Sequence, residues 1–479
     1  MLAACVEVVA MHTTTQATSS NKVRRDHLGG KRGDGHERQL RAERVRRADP
    51  ERIRIGRPDP TLSGVGGLVP FGVFLKELGV DRQLRLLFGG MKSGLRVVYP
   101  MHAQLRLLID ANAVGEGRVF GLEALAADPV FVHLAGGVVP SVDTVYRDLE
   151  RFDELELAKL EVLMADHGLA EVRALAGQHV HVDIDTTVEP LFGHQEGALP
   201  GPNPRYPGRP SYHPLLAVVA ETGTCIGAQL RPGDRGLGHE DAPTIRSYVE
   251  RVRVAVGERG LATARIDAGG DCTAILAAIE GAGARFIAKP RLTPDLCGAI
   301  HATTDWRTVD VDADGRPVRQ VAEISFQRKE WAAQGRRWRV IAVRSRERDI
   351  GKQVYLWSDL DYTVQAYVTN DWFDDGDSIS IEYNGRAEVE PVIGELKHAI
   401  DLGKVPSQVF NANHATFLIK LLTFNLVRRY VRNEAPTLAH WRLPWIRRVR
   451  FHVPARLVRS GRRWTVRFPA RPGSSRLLC

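Results

Sequence analysis

HVHVDIDTTVEPLFG, residues 179–193, alternates apolar and polar side chains in the way a β-strand does. Successive side chains of a strand leave on opposite faces, so Asp183 and Asp185 point to one face. HPLLAVVAET (213–222) and CIGAQLRPG (225–233) follow at hairpin spacing, and APTIRSYVERVRVAV (242–256) has the period of a helix. ARIDAGGD (264–271) is a short strand ending at Asp267, followed by the helix DCTAILAAIEGAG (271–283) and the strand RFIAKP (285–290). This alternation predicts an α/β fold, a mixed sheet covered by helices. Residues 291–370 then break it with four β-rich segments, VAEISFQ, RWRVIAVRS, QVYLWSD and TVQAYVT, expected as an inserted subdomain.

Downstream, YNGRAEVEPVIGELK (383–397) carries Tyr383, Arg386, Glu390 and Lys397. Arg386 and Glu390 are four residues apart and Glu390 and Lys397 seven, so one helix would project all three from one face. Pro391 is tolerated if the helix starts near Ala387, because the first helical N–H groups have no intrahelical partner. That face has two readings. It is a solvated surface whose ion pairs are worth about 0.3–0.5 kcal/mol each, or Glu390 binds a metal while the cations and the phenol hold phosphates. A hard cation needs further oxygen ligands, and the strand-end aspartates Asp185 and Asp267 offer them. The apolar run NHATFLIKLLTFNLVRRYV (413–431) is expected to pack beneath.

Upstream, VPFGVFLKELGV (69–80), MHAQLRLLIDANAV (101–114) and GLEALAADPVFVHLAG (121–136) predict an all-helical region. It ends in PSVDTVYRDLERF (140–152), where Ser141 or Asp143 can cap a helix exposing Arg147 and Arg151. The layout suits a helix-turn-helix that reads DNA, or plain bundle packing.

The 479 residues, 43% hydrophobic and 26% charged, suffice for several domains with a sizeable core. Net charge is +9, and residues 21–57 carry 13 Lys and Arg against 6 acids while residues 442–479 carry 11 Arg and no acid. An acidic body with basic ends suits a polyanionic partner, or a solubilising tail. Nucleic acid is favoured, because Trp445, Phe451, Trp464 and Phe468 interleave the C-terminal arginines and could stack on bases. The five cysteines are scattered with no C-x-x-C pair, so a reducing cytoplasm is expected. The opening MLAACVEVVA lacks the marks of an export signal, and no run is long enough for a membrane span. The expected divisions are a disordered basic segment 1–60, a helical DNA-binding region 61–175, a catalytic domain 176–440 with the insertion at about 291–370, and a basic tail 441–479.

Asp185, Asp267 and Glu390 thus lie at two strand ends and on a helix, in that order. The arrangement resembles the DDE transposases of bacterial insertion sequences. DTT at 185–187, the Asp267 strand, a β-rich insertion, and a Tyr-Arg-Glu-Lys signature with gaps of two, three and six residues all match. IDTTVEPLFGHQEGA (184–198), PLLAVVAETG (214–223) and FNANHATFLIKLLTFNL (410–426) look most like the insertion-sequence 1380 family, whose catalytic domain is the DDE group 1 domain. The resemblance covers about residues 65–435. Pro391 and Gly394 depart from that family's usual pattern.

The resemblance implies an RNase H-like core in which Asp185, Asp267 and Glu390 hold two Mg2+ ions, replaceable by Mn2+ and about 3.5–4 Å apart. Those ions would activate a water or a 3′-hydroxyl. It further implies that Tyr383, Arg386 and Lys397 bind phosphates, that terminal inverted repeats and target DNA are the partners, and that a homodimer forms the synaptic complex. Two other readings stand beside it. One is a catalytically silent DNA-binding protein derived from a transposase. The other takes His179, His181, Asp183 and Asp185 as a mononuclear metal site on a barrel strand, as in the amidohydrolases. Such a barrel needs repeated strand-helix units, and the hairpins after residue 291 do not supply them.

Overall fold

The computed structural model describes residues 50–203, 206–346 and 362–469. The chain divides into two compact units, Met1–Pro58 and Asp59–Cys479. Of the segment expected to be disordered, residues 1–49 lie outside the described residues; from residue 50 it is mostly exposed and forms one 3-10 turn, Pro50–Arg52. The expected strand QVYLWSD (353–359) also lies outside them.

Besides the one-turn helix Leu122–Leu125, the second unit opens with six helices: α1 (Leu68–Glu77), α2 (Val80–Phe88), α3 (Met101–Val114), α4 (Pro129–Leu134), α5 (Val142–Leu149) and α6 (Glu154–Arg173). Side-chain caps fix three of their starts. Asp128 accepts from the N–H groups of Val130 and Phe131, Ser141 from Thr144, and Asp153 from Leu155 and Glu156.

The sheet follows, with β1 (His179–Thr186), β2 (Leu215–Val219), β3 (Thr224–Gln229), α7 (Ala242–Val256), β4 (Leu261–Ile266), α8 (Thr273–Gly281), β5 (Arg285–Ala288) and α9 (Pro294–Ala302). Then come β6 (Arg307–Val311), β7 (Pro317–Glu323), β8 (Arg339–Arg346) and β9 (Tyr362–Thr369). All nine strands form one mixed sheet in the order β6-β7-β8-β9-β5-β4-β1-β2-β3. Strands β1, β4 and β5 run parallel, and every other pairing is antiparallel. The hairpins expected as an insertion therefore extend the main sheet, because β9 adds to the edge that β5 would otherwise leave unpaired, Val368 opposite Ala288.

Beyond the sheet lie α10 (Gly376–Asn384), a 3-10 turn (Gly385–Glu388), α11 (Val389–Ala399) and the long α12 (Phe410–Glu434). The single helix expected to carry Arg386, Glu390 and Lys397 on one face is broken. Pro391 inside a helix continuing from α10 would clash with the carbonyl four residues back, whereas in the first turn of a new helix it has no bond to lose.

Three cores pack on the sheet, the smallest gathering Ile379 and Tyr383 of α10 with Ile341 of β8 and Tyr367 of β9. Val180, Val182 and Ile184 pack on one face with Ile245 and Val249 of α7 and Ile275 of α8. On the other, Leu216, Val218 and Cys225 join α12 and the helical region in a continuous cluster. Asn425 of α12 ties this layer together, donating to the carbonyls of Met164 (2.9 Å) and Cys225 (2.7 Å) and accepting from the Cys225 N–H (3.0 Å). Gly168 of α6 has to be glycine here, since a Cβ would stand 2.3 Å from the Cys225 carbonyl oxygen.

The segment expected as a basic tail is packed as far as Leu457, whereas residues 459–469 are mostly exposed, as are Trp445 and Trp464. After the turns Leu443–Ile446 and Arg447–Phe451 come β10 (Ala455–Ser460) and β11 (Arg463–Arg467), and β10 pairs with Leu62–Ser63 near the other end of the unit. Arg447 is buried and donates to the carbonyls of Ala113 (3.0 Å), Asn112 (2.7 Å) and Ala399, at the C-termini of α3 and α11 where carbonyls run out of intrahelical donors. Phe451 is fully buried against Phe71, ring centroids 5.2 Å apart, and so is not free to stack on bases. Among the described residues no helix is long and apolar enough to cross a membrane.

Candidate active site

The polar face of β1 presents His179, His181, Asp183 and Asp185 in alternation, under α10. In the parallel register of β1 and β4, Ile184 stands opposite Ile266. Asp185 and Asp267 are the next residues of the two strands, so two carboxylates come together at neighbouring strand ends, about 4.8 Å between strands. Asp267 caps the 3-10 turn Ala268–Gly270, accepting from the Gly269 N–H at 3.0 Å. Asp185 accepts from the Thr186 N–H at 2.9 Å and lies 3.1 Å from Arg386 Nη2. Burial holds the Asp185 carboxyl above the usual carboxylate range and the negative Asp267 adds to this, both against the pull of Arg386.

Arg386 comes from the turn between α10 and α11, and its Nε has no hydrogen-bond partner among the described residues. Burial works against its charge, but Asp185, Tyr383 and Asp267 hold it firmly protonated. Tyr383, on α10, is 4% exposed, and burial with Asp267 and Asp185 nearby pushes its phenol up to about 12 despite Arg386. The ammonium of Lys289, which directly follows β5, sits 5.2 Å from the Tyr383 ring centroid. Glu390 is the second residue of α11, and its side chain lies outside the described residues. Lys397, later on α11, pairs with Glu189 (3.3 Å) and donates to the Val188 carbonyl (3.3 Å), so it is tied to the segment leaving β1.

Asp183 is committed elsewhere. It accepts both arms of Arg265 at 2.7 Å, and both side chains are buried. Arg265 also donates to the Glu382 carbonyl of α10 at 2.8 Å. Further along the strand, His181 lies between Glu221 and Glu382. Burial opposes its protonation, but hydrogen bonds to the two carboxylates prevail and raise the imidazole to about 9.

The sequence reading therefore brings together Asp185, Asp267, Tyr383 and Arg386, and leaves Lys397 against Glu189. It missed Lys289, Arg265 and Glu189. Lys289 carried a signal, since it follows the end of the third parallel strand as Asp267 follows the second, and ligands of open α/β sheets gather at such ends. Arg147 and Arg151 lie far along the chain in the helical region. Both are exposed; Arg147 donates to the Asp143 carbonyl (3.2 Å) and Arg151, just past α5, pairs with Asp148 (3.0 Å). Two adjacent like-charged carboxylates with one guanidinium fit a cation, which would balance the charge that Arg386 alone leaves over.

The sequence profile of the family described as "Transposase DDE domain group 1" matches residues 48–478. No curated protein matches the chain. Among solved structures it is similar to the cryo-EM structure of a piggyBac transposase synaptic complex with hairpin DNA. That likeness has a TM-score of 0.43 and 10% identity, and covers 80% of this chain and 79% of the other.

Proposed function

The chain belongs to the transposase DDE domain group 1 family, and from that premise we propose that it is a DNA transposase of an insertion sequence. It binds the terminal inverted repeats, hydrolyses phosphodiester bonds at their ends and transfers the strand into target DNA. The observation that carries the reading is the pairing of Asp185 and Asp267 across the ends of parallel β1 and β4, with Arg386 reaching the first. The strand order β3-β2-β1-β4-β5, in which the last three run parallel, supports an RNase H-like core.

Asp185, Asp267 and Glu390 would hold Mg2+, with Mn2+ as a substitute. When bound, the ions supply an activated water or 3′-hydroxyl and charge stabilisation at the leaving oxygen. The protein's own side chains do the rest. Arg386 offers a phosphate oxygen its Nε, which has no hydrogen-bond partner among the described residues, and Tyr383 stays a neutral donor through the physiological range. Lys397 exchanges Glu189 for a phosphate when DNA is seated. Arg147 and Arg151 of the helical region 61–175 contact the repeat, and the catalytic domain, 176–440, handles the cut. Two copies act in the synaptic complex, in the cytoplasm at the bacterial nucleoid.

The test is metal-dependent nicking of a duplex bearing the element's inverted repeat by the purified full chain. Asp185→Asn, Asp267→Asn and Glu390→Gln are each expected to abolish nicking while repeat binding persists. Full nicking by any one of them removes that residue from the site. Repeat binding without nicking in Mg2+ or Mn2+ would favour the silent DNA-binding reading.

A further inference from the structure

The polar face of β1 continues beyond the paired aspartates. His179 and His181 share it, and α10 lays Glu382 over them. One ring nitrogen of each histidine and one Glu382 carboxylate oxygen lie within 4.8 Å of one another. Glu382 Oε1 is 3.0 Å from His181 Nε2 and 3.5 Å from His179 Nε2. We propose that His179, His181 and Glu382 form a separate transition-metal site that takes one Zn2+ ion and clamps α10 onto β1.

The donor set selects the metal class. Two imidazole nitrogens and one carboxylate oxygen are the borderline ligands that zinc takes, with a fourth position left for water, whereas Mg2+ takes oxygen ligands only. The surroundings are built to aim a ligand. Glu221, on the turn after β2, accepts from His181 Nδ1 at 2.6 Å and from the His181 backbone N–H at 3.0 Å, which fixes the ring and leaves Nε2 to face Glu382. Thr263 Oγ1 stands 2.7 Å from His179 Nε2, a bond that the ion would replace. Asp183 and Arg265, closed on each other, separate this cluster from Asp185 and Asp267. The consequence is positional. Glu382 precedes Tyr383, so an ion held there fixes α10 and, through it, the turn that carries Arg386.

The full chain, stripped by chelator, is titrated with Zn2+ by calorimetry, and the retained metal is measured after desalting. One ion per chain is expected to survive desalting, held more tightly than any ion on the Asp185, Asp267 and Glu390 carboxylates. His179→Ala, whose side chain is partly exposed, and Glu382→Gln should each weaken binding at least tenfold, and Glu221→Gln by roughly 10–100-fold. Asp185→Asn and Asp267→Asn should bind as wild type, and Co2+ in place of Zn2+ should give the visible absorption of a four-coordinate site. Absence of stoichiometric binding, affinity unchanged in His179→Ala, or loss in Asp185→Asn would each overturn the proposal, and circular dichroism of each variant confirms that the fold is kept.

Discussion

Asp183 and Asp185 are two residues apart on one strand face and have different fates because of what the next strand sets opposite them. Asp183 stands in register with Arg265, so a buried carboxylate meets a buried guanidinium and both are satisfied. Asp185 stands beside Asp267, where a second carboxylate leaves negative charge for a cation to meet. Removing one member of a closed buried pair strands the other, so Asp183→Ala should destabilise the chain by about 3–5 kcal/mol. Denaturant unfolding checks this, and Asp183→Asn should keep most of its nicking. A dead Asp183→Asn chain beside an active Asp185→Asn chain would reverse the assignment. The alternation in residues 179–193 made the shared face legible. It carried no information on register, which sets Arg265 opposite Asp183 and brings Asp267 beside Asp185.

At the scale of elements, the signature residues come from three pieces, Tyr383 on α10, Arg386 on the turn, and Glu390 and Lys397 on α11. The spacing and a helix start near Pro391 were legible, and Glu390 and Lys397 share α11, but Arg386 leaves the helical wheel because it sits in the 3-10 turn before that helix. Arg386→Ala should flatten the salt dependence of repeat binding by roughly one unit of slope. Lys397→Ala should do the same if it trades Glu189 for phosphate, and an unchanged slope would leave it as a strut to the segment after β1. Two other helices carry a pH response. Burial holds His414 of α12 at about 4, and burial with Arg429 alongside does the same to His167 of α6. Both folded values lie below the ordinary 6.5, so between pH 6.5 and 4 the unfolded chain binds more protons than the folded one. Stability therefore falls as pH drops through that window, by at most about 1.4 kcal/mol per pH unit for each histidine. Thermal midpoints at pH 7 and pH 5 should show the drop, and the double variant His167→Gln with His414→Gln should show less of it.

Across the whole molecule, composition identified two basic ends without revealing what they do. The described C-terminal end closes the structure on itself, with Arg447 holding helix carbonyls and β10 pairing with Leu62–Ser63. The helical region was read as a module bounded near residue 175, since its periodicity stops there. Packing does not stop there, because Phe71 of α1 meets Tyr430 of α12 and Phe451, with ring centroids 5.4 and 5.2 Å apart. Leu84, Leu105 and Leu160 belong to the same cluster as Leu418 and Leu422 of α12. A fragment of residues 60–175 would expose this apolar face to water at roughly 25 cal/mol per Å2. It should consequently lack a cooperative thermal transition and near-ultraviolet dichroism, while the full chain has both. Recognition by Arg147 and Arg151 is therefore to be tested in the full chain, where alanine at either should narrow the preference for the inverted repeat over random duplex. A fragment that folds cooperatively and prefers the repeat alone would make the helical region an independent reader, with α12 a neighbour instead of its core.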